Sequence, residues 1–389
     1  MWDEVFTDYD FGPTHPMAPV RLDLTTRLAS ALGVLEHVTL LCPEVADDDV
    51  LATVHDRDYI EAVKRASADP TVADVHRGLG TEDDPAFAGM HEASARIAQG
   101  TLDVCRGVWK GDVEHGVNYC GGLHHAMRGY ASGFCIYNDI GVGIQWLLDH
   151  GAQRVAYVDI DVHHGDGVER MFWNDPRVLT ISVHESGRHL FPGTGWPADI
   201  GGPSARGTVA NVALPPGTGD SAWLRSIESV VPPLVRAFAP DVLVSQHGCD
   251  THMHDPLAHL SITVDAQRRA HESLHDLAHE AASGRWVALG GGGYELVEVV
   301  PRSWTHLTAI AAHAPLPVET AVPQEWLDHV RHSLGRIAPN RMGDLPAAAL
   351  PIWVQPWGMG HNPENPVDRA ILATRQATFP LHGLDPWFD

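Results

Sequence analysis

Two aspartates and a histidine alternate at the point where an apolar run of the chain ends. The run at residues 155–158, VAYV, has the β-branched, apolar character of a strand buried on both faces of a sheet. Asp159, Asp161 and His163 then occupy every second position, and such residues point to the same side of an extended chain. Carboxylates and an imidazole at a buried strand end favour a bound cation, because buried charges need partners. The pattern therefore predicts a metal site.

The residues that follow strengthen this interpretation. Gly165 and Gly167 allow the backbone to turn sharply, so that Asp166 returns toward the same place. The alternative is a hydrogen-bonded polar cluster without a metal, since open α/β sheets collect polar residues at their strand ends. The combination of Asp-x-Asp-x-His with a Gly-x-Gly turn favours the metal.

Further segments carry residues that could share this site. They are GVNYCGGLHHAMR at 116–128, SGFCIYND at 132–139, LFPGTG at 190–195, HGCDTHMHDPL at 247–257 and ALGGGGY at 288–294. Asp250 follows a predicted strand and is the third candidate ligand. The glycines before Tyr294 could form a phosphate loop, but no Gly-Lys-Ser/Thr follows them. They more readily allow close backbone packing that aims Tyr294 into a pocket.

These segments, in this order, resemble the zinc-dependent histone deacetylase superfamily over about residues 10–300, and within it the bacterial acetoin-utilisation deacetylases. The resemblance implies the arginase/deacetylase fold and hydrolysis of an acetamide by a metal-activated water. Asp161, His163 and Asp250 would be the metal ligands. Zn²⁺ is the implied metal, and the two carboxylates make Fe²⁺ or Co²⁺ acceptable as well.

The resemblance also implies roles for the catalytic residues. His124 and His125 would form a histidine pair, with Asp159 oriented on His124 and Asp166 on His125. His125 would shuttle the proton, while His124 acts mainly through its charge. Tyr294 would donate a hydrogen bond to the developing oxyanion.

A substrate tunnel is implied by the same comparison. Phe134, which follows Gly133, and Phe191 would form a narrow aromatic slot for a straight alkyl chain such as that of acetyl-lysine. Asp83, two residues before a proline, would hold the substrate backbone at the rim. Leu257 lies where a carboxylate for a distal ammonium would be placed, and it is apolar.

The resemblance also implies a channel role for Arg21 and a bound potassium ion, whereas the role expected of Asp84 follows from its position before a helix. Arg21 either lies behind the site, along an internal channel for acetate release, or forms an ion pair at the start of a helix; the sequence supports both equally. Asp84 is expected to cap a helix that begins near residue 86. A potassium ion is implied beside the central strand, bound by groups on Asp159, Asp161, His163, Ser182 and Val183.

The pattern of elements predicts an α/β protein with one domain over residues 1–389. Strands are expected at 5–9, near 116, and at 155–158, 178–184, 209–214, 241–246 and 286–289. Helices are expected at 22–32, 86–108, 141–150, 222–238 and 265–283, and a helical hairpin is expected at 47–68. This alternation predicts a central, mostly parallel sheet flanked by helices on both faces, with the site at the carboxyl ends of the strands. Residues from about 316 to 389 are expected to form an irregular extension packed on the core.

Composition restricts the partners and the compartment. The chain has 389 residues, a formal net charge of −24 and 44% hydrophobic residues, which argues for a sizeable core and against a nucleic-acid partner. The N-terminus is acidic and has no long apolar run, so we expect neither a signal peptide nor a membrane span. Five cysteines without C-x-x-C spacing are typical of a reduced, cytoplasmic protein. The oligomeric state is not predicted.

The expected function is a lysine deacetylase acting on a cytoplasmic protein, with acetyl-CoA synthetase as the target that the resemblance implies. Deacetylation of small amines such as acetylpolyamines is the near alternative, and a non-catalytic binding protein that retains the fold is the distant one. Arginase-like ureohydrolases share the fold class but need a second metal. Gly248 stands where their first additional aspartate would be, which favours a single metal.

Overall fold

A six-stranded sheet in the order β1-β6-β5-β2-β3-β4 forms the centre of the molecule. The computed structural model describes residues 1–346 and 348–389. Every neighbouring pair of these strands runs parallel, so the predicted α/β class is confirmed. The strands are β1 (His115–Asn118), β2 (Val155–Asp159), β3 (Val178–Glu185), β4 (Val209–Leu214), β5 (Val242–Gln246) and β6 (Trp286–Leu289).

The sheet is enclosed by helices, as the apolar composition of its strands requires. All residues of β2, β5 and β6 are buried, which fits strands that are covered on both faces. The α-helices are α1 (Val20–Ala31), α2 (Asp48–Leu51), α3 (Arg57–Ala68), α4 (Met90–Lys110), α5 (Asp139–Asp149), α6 (Asp166–Phe172), α7 (Asp220–Phe238), α8 (Val264–Ala281), α9 (Val300–Ala311), α10 (Gln324–Leu334) and α11 (Pro366–Thr378). Short 3₁₀ helices span Glu4–Asp8, Val34–His37, Pro70–Val72, Val75–Arg77, Trp357–Met359 and Phe379–His382.

The strand order places a crevice beside β2. From β2 the chain moves outward to β3 and β4, then returns to β5 on the other side of β2. Loops that leave β2 and β5 at their carboxyl ends therefore diverge. Open α/β sheets bind ligands at such a reversal of strand order. The crevice thus lies where the Asp-x-Asp-x-His segment leaves β2.

Two predictions near the N-terminus were wrong. Residues 5–9 were expected to form a strand, but the Asp3 side chain accepts a hydrogen bond from the Val5 N–H and starts a 3₁₀ helix. Helix α4 begins at Met90 with Gly89 as its N-cap residue, so Asp84 is not its cap. Asp84 is instead buried, and burial followed by the charge of Asp83 raises its pKa to about 8.

The prediction of an irregular tail was also wrong in part, because α10 and α11 lie there. Helix α10 packs on α1, and α11 packs on β4 and α7. The start of α11 carried a readable signal that sequence reasoning missed. The Asn365 side chain accepts hydrogen bonds from the backbone N–H groups of Val367 and Asp368, and Pro366 occupies the first turn.

Helix length and apolarity bear on membrane insertion. Among residues 1–346 and 348–389, no helix is both long and apolar enough to cross a bilayer.

A buried ion pair between α7 and α11 should stabilise the docked tail. Arg225 Nε lies 2.9 Å from Asp368 Oδ1, and the two side chains are 7% and 8% exposed. We expect Asp368→Ala to lower the free energy of unfolding by about 3 kcal/mol, because it leaves a buried guanidinium without its counter-charge. Denaturant unfolding followed by circular dichroism measures this change.

The exposed pair of Arg236 and Glu280 provides the control. Its side chains are 52% and 53% exposed, so Glu280→Ala should cost less than about 1 kcal/mol. Equal losses in the Asp368 and Glu280 variants would contradict a stabilising role for the buried pair.

Candidate metal centre and active site

Three side chains converge at the carboxyl ends of β2 and β5. Asp161 and His163 lie on the loop after β2, and Asp250 lies on the loop after β5. Their candidate ligand atoms all lie within 4.8 Å of one another, and all three residues are buried. His163 Nδ1 is 3.2 Å from Asp161 Oδ1 and 3.0 Å from Asp250 Oδ2. Residues 87 positions apart in the chain therefore share one pocket.

Protein donors hold the remaining carboxylate oxygens. Asp161 Oδ2 accepts hydrogen bonds of 2.8 Å from Gln246 Nε2 and from the Gly292 N–H. Asp250 Oδ1 accepts one of 3.0 Å from the Val162 N–H. Asp161 Oδ1 also accepts a hydrogen bond of 2.9 Å from the His163 N–H. Backbone and side-chain donors thus fix both carboxylates, and one oxygen of each lies next to the imidazole of His163. Gln246 belongs to this support, and sequence reasoning did not single it out.

The electrostatics of the cluster favour a positive charge between the carboxylates. Burial and the negative charge of Asp161 raise the pKa of Asp250 to about 6. Burial alone would lower the pKa of His163, but hydrogen bonds to Asp161 and Asp250 outweigh it and raise the pKa to about 10. Two carboxylates and one imidazole nitrogen also match the donor set of a catalytic divalent metal. The residues therefore fit a resident divalent cation.

Next to this cluster lies a pair of histidines, each with its own carboxylate. His124 Nδ1 donates to Asp159 Oδ2 and His125 Nδ1 donates to Asp166 Oδ1, both at 2.7 Å. The two Nε2 atoms face each other at 3.0 Å. Since both Nδ1 atoms already carry protons, a hydrogen bond between the Nε2 atoms requires a third proton. The pair as a unit is therefore suited to hold one positive charge.

Environment distinguishes the two rings. Burial alone would lower the pKa of His124, but the charges of Asp159 and Asp161 outweigh it and raise the pKa to about 9. For His125, burial and the neighbouring charge of His124 lower the pKa to about 4. The opposite directions of these shifts favour His124 as the ring that holds the shared proton and leave His125 as the ring that can accept another. A neutral imidazole can accept a proton.

Buried hydrogen bonds hold the histidine pair in place. Asp139 accepts from the N–H groups of Gly122 and Leu123 at 3.0 and 2.8 Å, which ties α5 to the turn before the pair. Tyr157, within β2, donates its hydroxyl to Asp159 Oδ2 at 2.6 Å. Sequence reasoning assigned no role to Asp139 or Tyr157. The inward alternation of Tyr157 with Asp159 was the signal that could have identified Tyr157.

Two glycines let the backbone approach the carboxylates. A Cβ atom on Gly248 would lie 1.8 Å from Asp161 Oδ2, and one on Gly292 would lie 2.0 Å from Asp250 Oδ2. Any side chain at these positions would displace a carboxylate. The glycines are therefore required by the close packing of the cluster.

Tyr294 lies at the mouth of the Gly-rich loop, half-buried against Phe134 with ring centroids 5.6 Å apart. Burial and the charge of Asp250 raise the pKa of Tyr294 well above its usual value, so its hydroxyl keeps its proton. Asp255 accepts hydrogen bonds from the N–H groups of Tyr294 and Leu257 at 2.8 and 3.0 Å. Leu257 is half-buried in the turn at Asp255, and Asp255 is a positioning residue that the sequence did not reveal.

Phe191 packs against the histidine pair, whereas the Phe134 ring packs against Tyr294 and His15. The Phe191 ring lies 4.9 Å from that of His125 and is 44% exposed. Phe134 has a φ of +66°, a left-handed conformation that is uncommon outside glycine. Asp83 Oδ2 accepts a hydrogen bond of 2.8 Å from the Gly133 N–H, which links the acidic turn to the Phe134 loop.

Arg21 lies behind the Gly-rich loop. Its Nη1 donates hydrogen bonds of 3.0 Å to the carbonyl oxygens of Gly291 and Gly293. The guanidinium is buried, and its carbon lies 5.1 Å from the ring centroid of Trp304. Among residues 1–346 and 348–389, no carboxylate pairs with Arg21, so the alternative of a helix-start ion pair is not observed.

Of the residues expected around a potassium ion, Asp159 lies on β2, Ser182 and Val183 lie on β3, and Asp161 and His163 lie on the loop after β2. Asp159 at the end of β2 is the register partner of Ser182 on β3. Val183 follows on β3, and the Ser182 hydroxyl lies 2.8 Å from His184 Nδ1. The strand pairing therefore places Asp159 next to Ser182, and the potassium site itself stays a prediction.

Comparison with known proteins agrees with this arrangement. Residues 15–311 match a protein-family model that is described as the histone deacetylase domain. The chain is 42% identical to the acetoin utilization protein AcuC of Bacillus subtilis over 304 residues, covering 78% of this chain and 79% of the relative. It is 38% identical to AcuC of Staphylococcus xylosus over 321 residues, covering 82% and 83%. The AcuC protein of Staphylococcus aureus strain MSSA476 is 37% identical over 346 residues, covering 88% and 89%. The chain belongs to the histone deacetylase family.

Proposed function

We propose that this chain is a metal-dependent lysine deacetylase that hydrolyses the acetamide of acetyl-lysine in a protein and releases lysine and acetate. The observation that carries the proposal is the His124–His125 pair, in which each ring has its own carboxylate, beside the cluster of Asp161, His163 and Asp250. Amide hydrolysis needs a proton acceptor, a proton donor and a stabilised oxyanion in one pocket. The side chains gathered here can supply all three.

Asp161, His163 and Asp250 would hold the metal, with Zn²⁺ as the first candidate and Fe²⁺ or Co²⁺ as alternatives. Such an ion polarises a carbonyl and lowers the pKa of a water molecule. His125 would accept a proton from the attacking water, since its low pKa keeps it neutral. The same nitrogen would then donate that proton to the departing lysine amine. The protonated His124 would stabilise the negative charge that develops nearby.

Tyr294 would donate its hydroxyl proton in a hydrogen bond to the oxyanion. Its raised pKa supports this role, because the phenol remains a donor at neutral pH. Asp255 would act by fixing the backbone of Tyr294. Arg21 would line an internal path for acetate, as its burial behind the Gly-rich loop suggests.

The register pairing of Asp159 on β2 with Ser182 on β3 supports a proposed potassium site. The set is Asp159, Asp161, His163, Ser182 and Val183. A cation there would offset the negative charge that the buried aspartates bring to the end of β2.

A two-metal ureohydrolase is disfavoured by packing as well as by sequence. An aspartate at position 248 would place its Cβ 1.8 Å from Asp161 Oδ2. A second carboxylate therefore has no room there unless Asp161 moves.

The substrate is proposed to be an acetylated protein, with acetyl-CoA synthetase as one candidate target. The relatives are named for acetoin utilization, a name consistent with acetyl-group metabolism but silent on the substrate. Phe134 and Phe191 would contact the lysine methylenes, and Asp83 would hold the peptide backbone at the rim. The half-buried, apolar Leu257 offers no charge to a distal ammonium, which disfavours acetylpolyamines.

Acetate release from an acetyl-lysine peptide and from acetylpolyamines, measured side by side, tests this proposal. We expect the peptide to be the better substrate by kcat/KM. The reverse preference would overturn the protein substrate and leave the deacetylase chemistry intact. No acetate from either substrate would favour a non-catalytic binding protein.

Removing a candidate ligand should remove metal and activity together. Asp250→Ala should lower bound metal by one equivalent and weaken metal affinity by more than the roughly 10–100-fold loss typical of outer-shell partners. Elemental analysis and acetate release measure both effects. Asp149→Ala, which changes an exposed aspartate at the end of α5, should alter neither. Unchanged metal content in the Asp250 variant would contradict the assignment.

Removing one hydroxyl should separate binding from catalysis. Tyr294→Phe keeps the ring against Phe134 but loses the donor, so kcat should fall by roughly 10²–10³-fold with little change in KM. Metal content serves as the control and should equal that of the unmodified enzyme. A kcat within about threefold of the original would exclude Tyr294 as the oxyanion donor.

The charge of Asp83 should matter through directed hydrogen bonds. Asp83→Asn should cost about 1–3 kcal/mol in kcat/KM for a peptide substrate, and this loss should change little between low and high salt. Glu82→Gln makes the same charge change at the exposed neighbouring residue and should have little effect. Equal losses that vanish at high salt would indicate general electrostatic attraction instead.

A further inference from the structure

A second group of histidines lies at the amino end of β1, at the opposite end of the sheet from the proposed catalytic residues. His115 begins this strand, whereas the candidate active site lies at the carboxyl ends of the strands. His275 and His279 project from α8, and His313 follows α9. The candidate ligand atoms of these four histidines lie within 4.8 Å of one another. We refer to His115, His275, His279 and His313 as the histidine cluster.

The spacing of the rings matches that of imidazoles around one metal ion. All six pairs of ring centroids in the histidine cluster are separated by 4.6–5.5 Å. With metal–nitrogen bonds of about 2.0–2.1 Å in a tetrahedron, ring centroids lie roughly 5 Å apart and nitrogens roughly 3.3 Å apart. His275 Nε2 and His279 Nε2 are 3.2 Å apart. Their i, i+4 positions on α8 place both rings on one helix face.

The Nε2 atom of His115 has a free lone pair with which it could bind a metal ion. His115 Nδ1 donates a hydrogen bond of 2.9 Å to the carbonyl oxygen of Ala311, so a neutral ring carries its lone pair on Nε2. That Nε2 atom is buried and has no hydrogen-bond partner among the described residues. A buried polar atom without a partner is costly. A backbone carbonyl on the far nitrogen is also the usual way in which a metal-binding histidine is oriented.

The surroundings of the cluster suit a cation that enters from solvent. The side chains of His275, His279 and His313 are 15%, 35% and 50% exposed. Glu114 lies next to them, with a carboxylate oxygen 3.7 Å from His279 Nδ1 and another 3.4 Å from His313 Nε2. The carboxylate provides negative charge and an acceptor for a ring N–H.

We propose that the histidine cluster binds one divalent transition-metal ion, with Zn²⁺ as the first candidate, and that Glu114 supports it from the outer shell. Imidazole nitrogens favour Zn²⁺, Cu²⁺ and Ni²⁺ over Mg²⁺ or Ca²⁺. The ion would connect the start of β1, the last turns of α8 and the end of α9. Its role is structural, because four protein ligands close a tetrahedral site. The histidine pair of the proposed active site is not involved.

Metal stoichiometry distinguishes this site from the catalytic one. The full chain, prepared without a histidine tag or metal-affinity resin and stripped with chelator, is titrated with Zn²⁺ and analysed after dialysis. We expect two equivalents for the unmodified protein and one for the double variant His275→Ala/His279→Ala. One equivalent is also expected for Asp250→Ala, and none for the triple variant. His332→Ala, at an exposed position of α10, should retain two.

Activity and stability provide independent readouts. The His275→Ala/His279→Ala variant should release acetate at a rate within about twofold of the unmodified enzyme when its catalytic metal is present. Zn²⁺ should raise the melting temperature of the unmodified protein by a few degrees more than that of the variant, because only the former gains the second bound ion. Loss of Zn²⁺ binding at the histidine cluster would therefore leave the proposed deacetylase activity unchanged, and absence of that activity would leave Zn²⁺ binding at the cluster unchanged.

The result that would overturn the proposal is an equal number of Zn²⁺ ions bound by the unmodified protein and the double variant. A histidine cluster held by hydrogen bonds alone would give that result. If the double variant does not fold, His313→Ala replaces a half-exposed ligand and should weaken binding at this site by at least about tenfold. Unchanged affinity in that variant would equally refute the site.

Discussion

The burial of two carboxylates against one imidazole is the interaction on which this active site depends. Asp161 and Asp250 are fully buried, and an oxygen of each faces His163. Negative charge at such a depth is unfavourable unless a cation and fixed donors compensate for it. Gln246, Gly292 and Val162 supply those donors from three different loops or strand ends. The two buried carboxylates at the carboxyl ends of β2 and β5 therefore favour a cation between them.

The same constraint explains the backbone around the cluster. Donors from Gly292 and neighbouring residues reach the carboxylates only because positions 248 and 292 lack a Cβ atom. Asp161 and Asp250 are fully buried, and burial strengthens each electrostatic contact that they make. The buried charges also give the two histidines of the pair different pKa values. The charges of Asp159 and Asp161 raise the pKa of His124, and the charge of His124 lowers the pKa of His125. Proton affinities are thus set by packing and not by residue type.

The histidines show how much about a functional site can be predicted from residue type alone. The chain contains 26 histidines, so doublets and near-repeats are expected by chance and carry little weight. His124 and His125 could be singled out because glycines and a Phe-containing motif surround them in sequence. The histidine cluster of His115, His275, His279 and His313 could not, because its members come from β1, α8 and the end of α9. Only the fold brings those rings within about 5 Å of one another.

The parallel α/β architecture and the alternation of Asp159, Asp161 and His163 could be predicted from the sequence, since both follow from local periodicity along the chain. The sequence did not reveal Gln246 or Asp255 as supports, because their roles depend on distant contacts such as the one from Gln246 to Asp161, 85 residues away. The 3₁₀ helix at residues 4–8 and the start of α11 follow from the local caps Asp3 and Asn365, whereas the docking of α11 on β4 and α7 depends on the fold. Local patterns specify which face a side chain takes, whereas the partner it meets there is decided by tertiary packing.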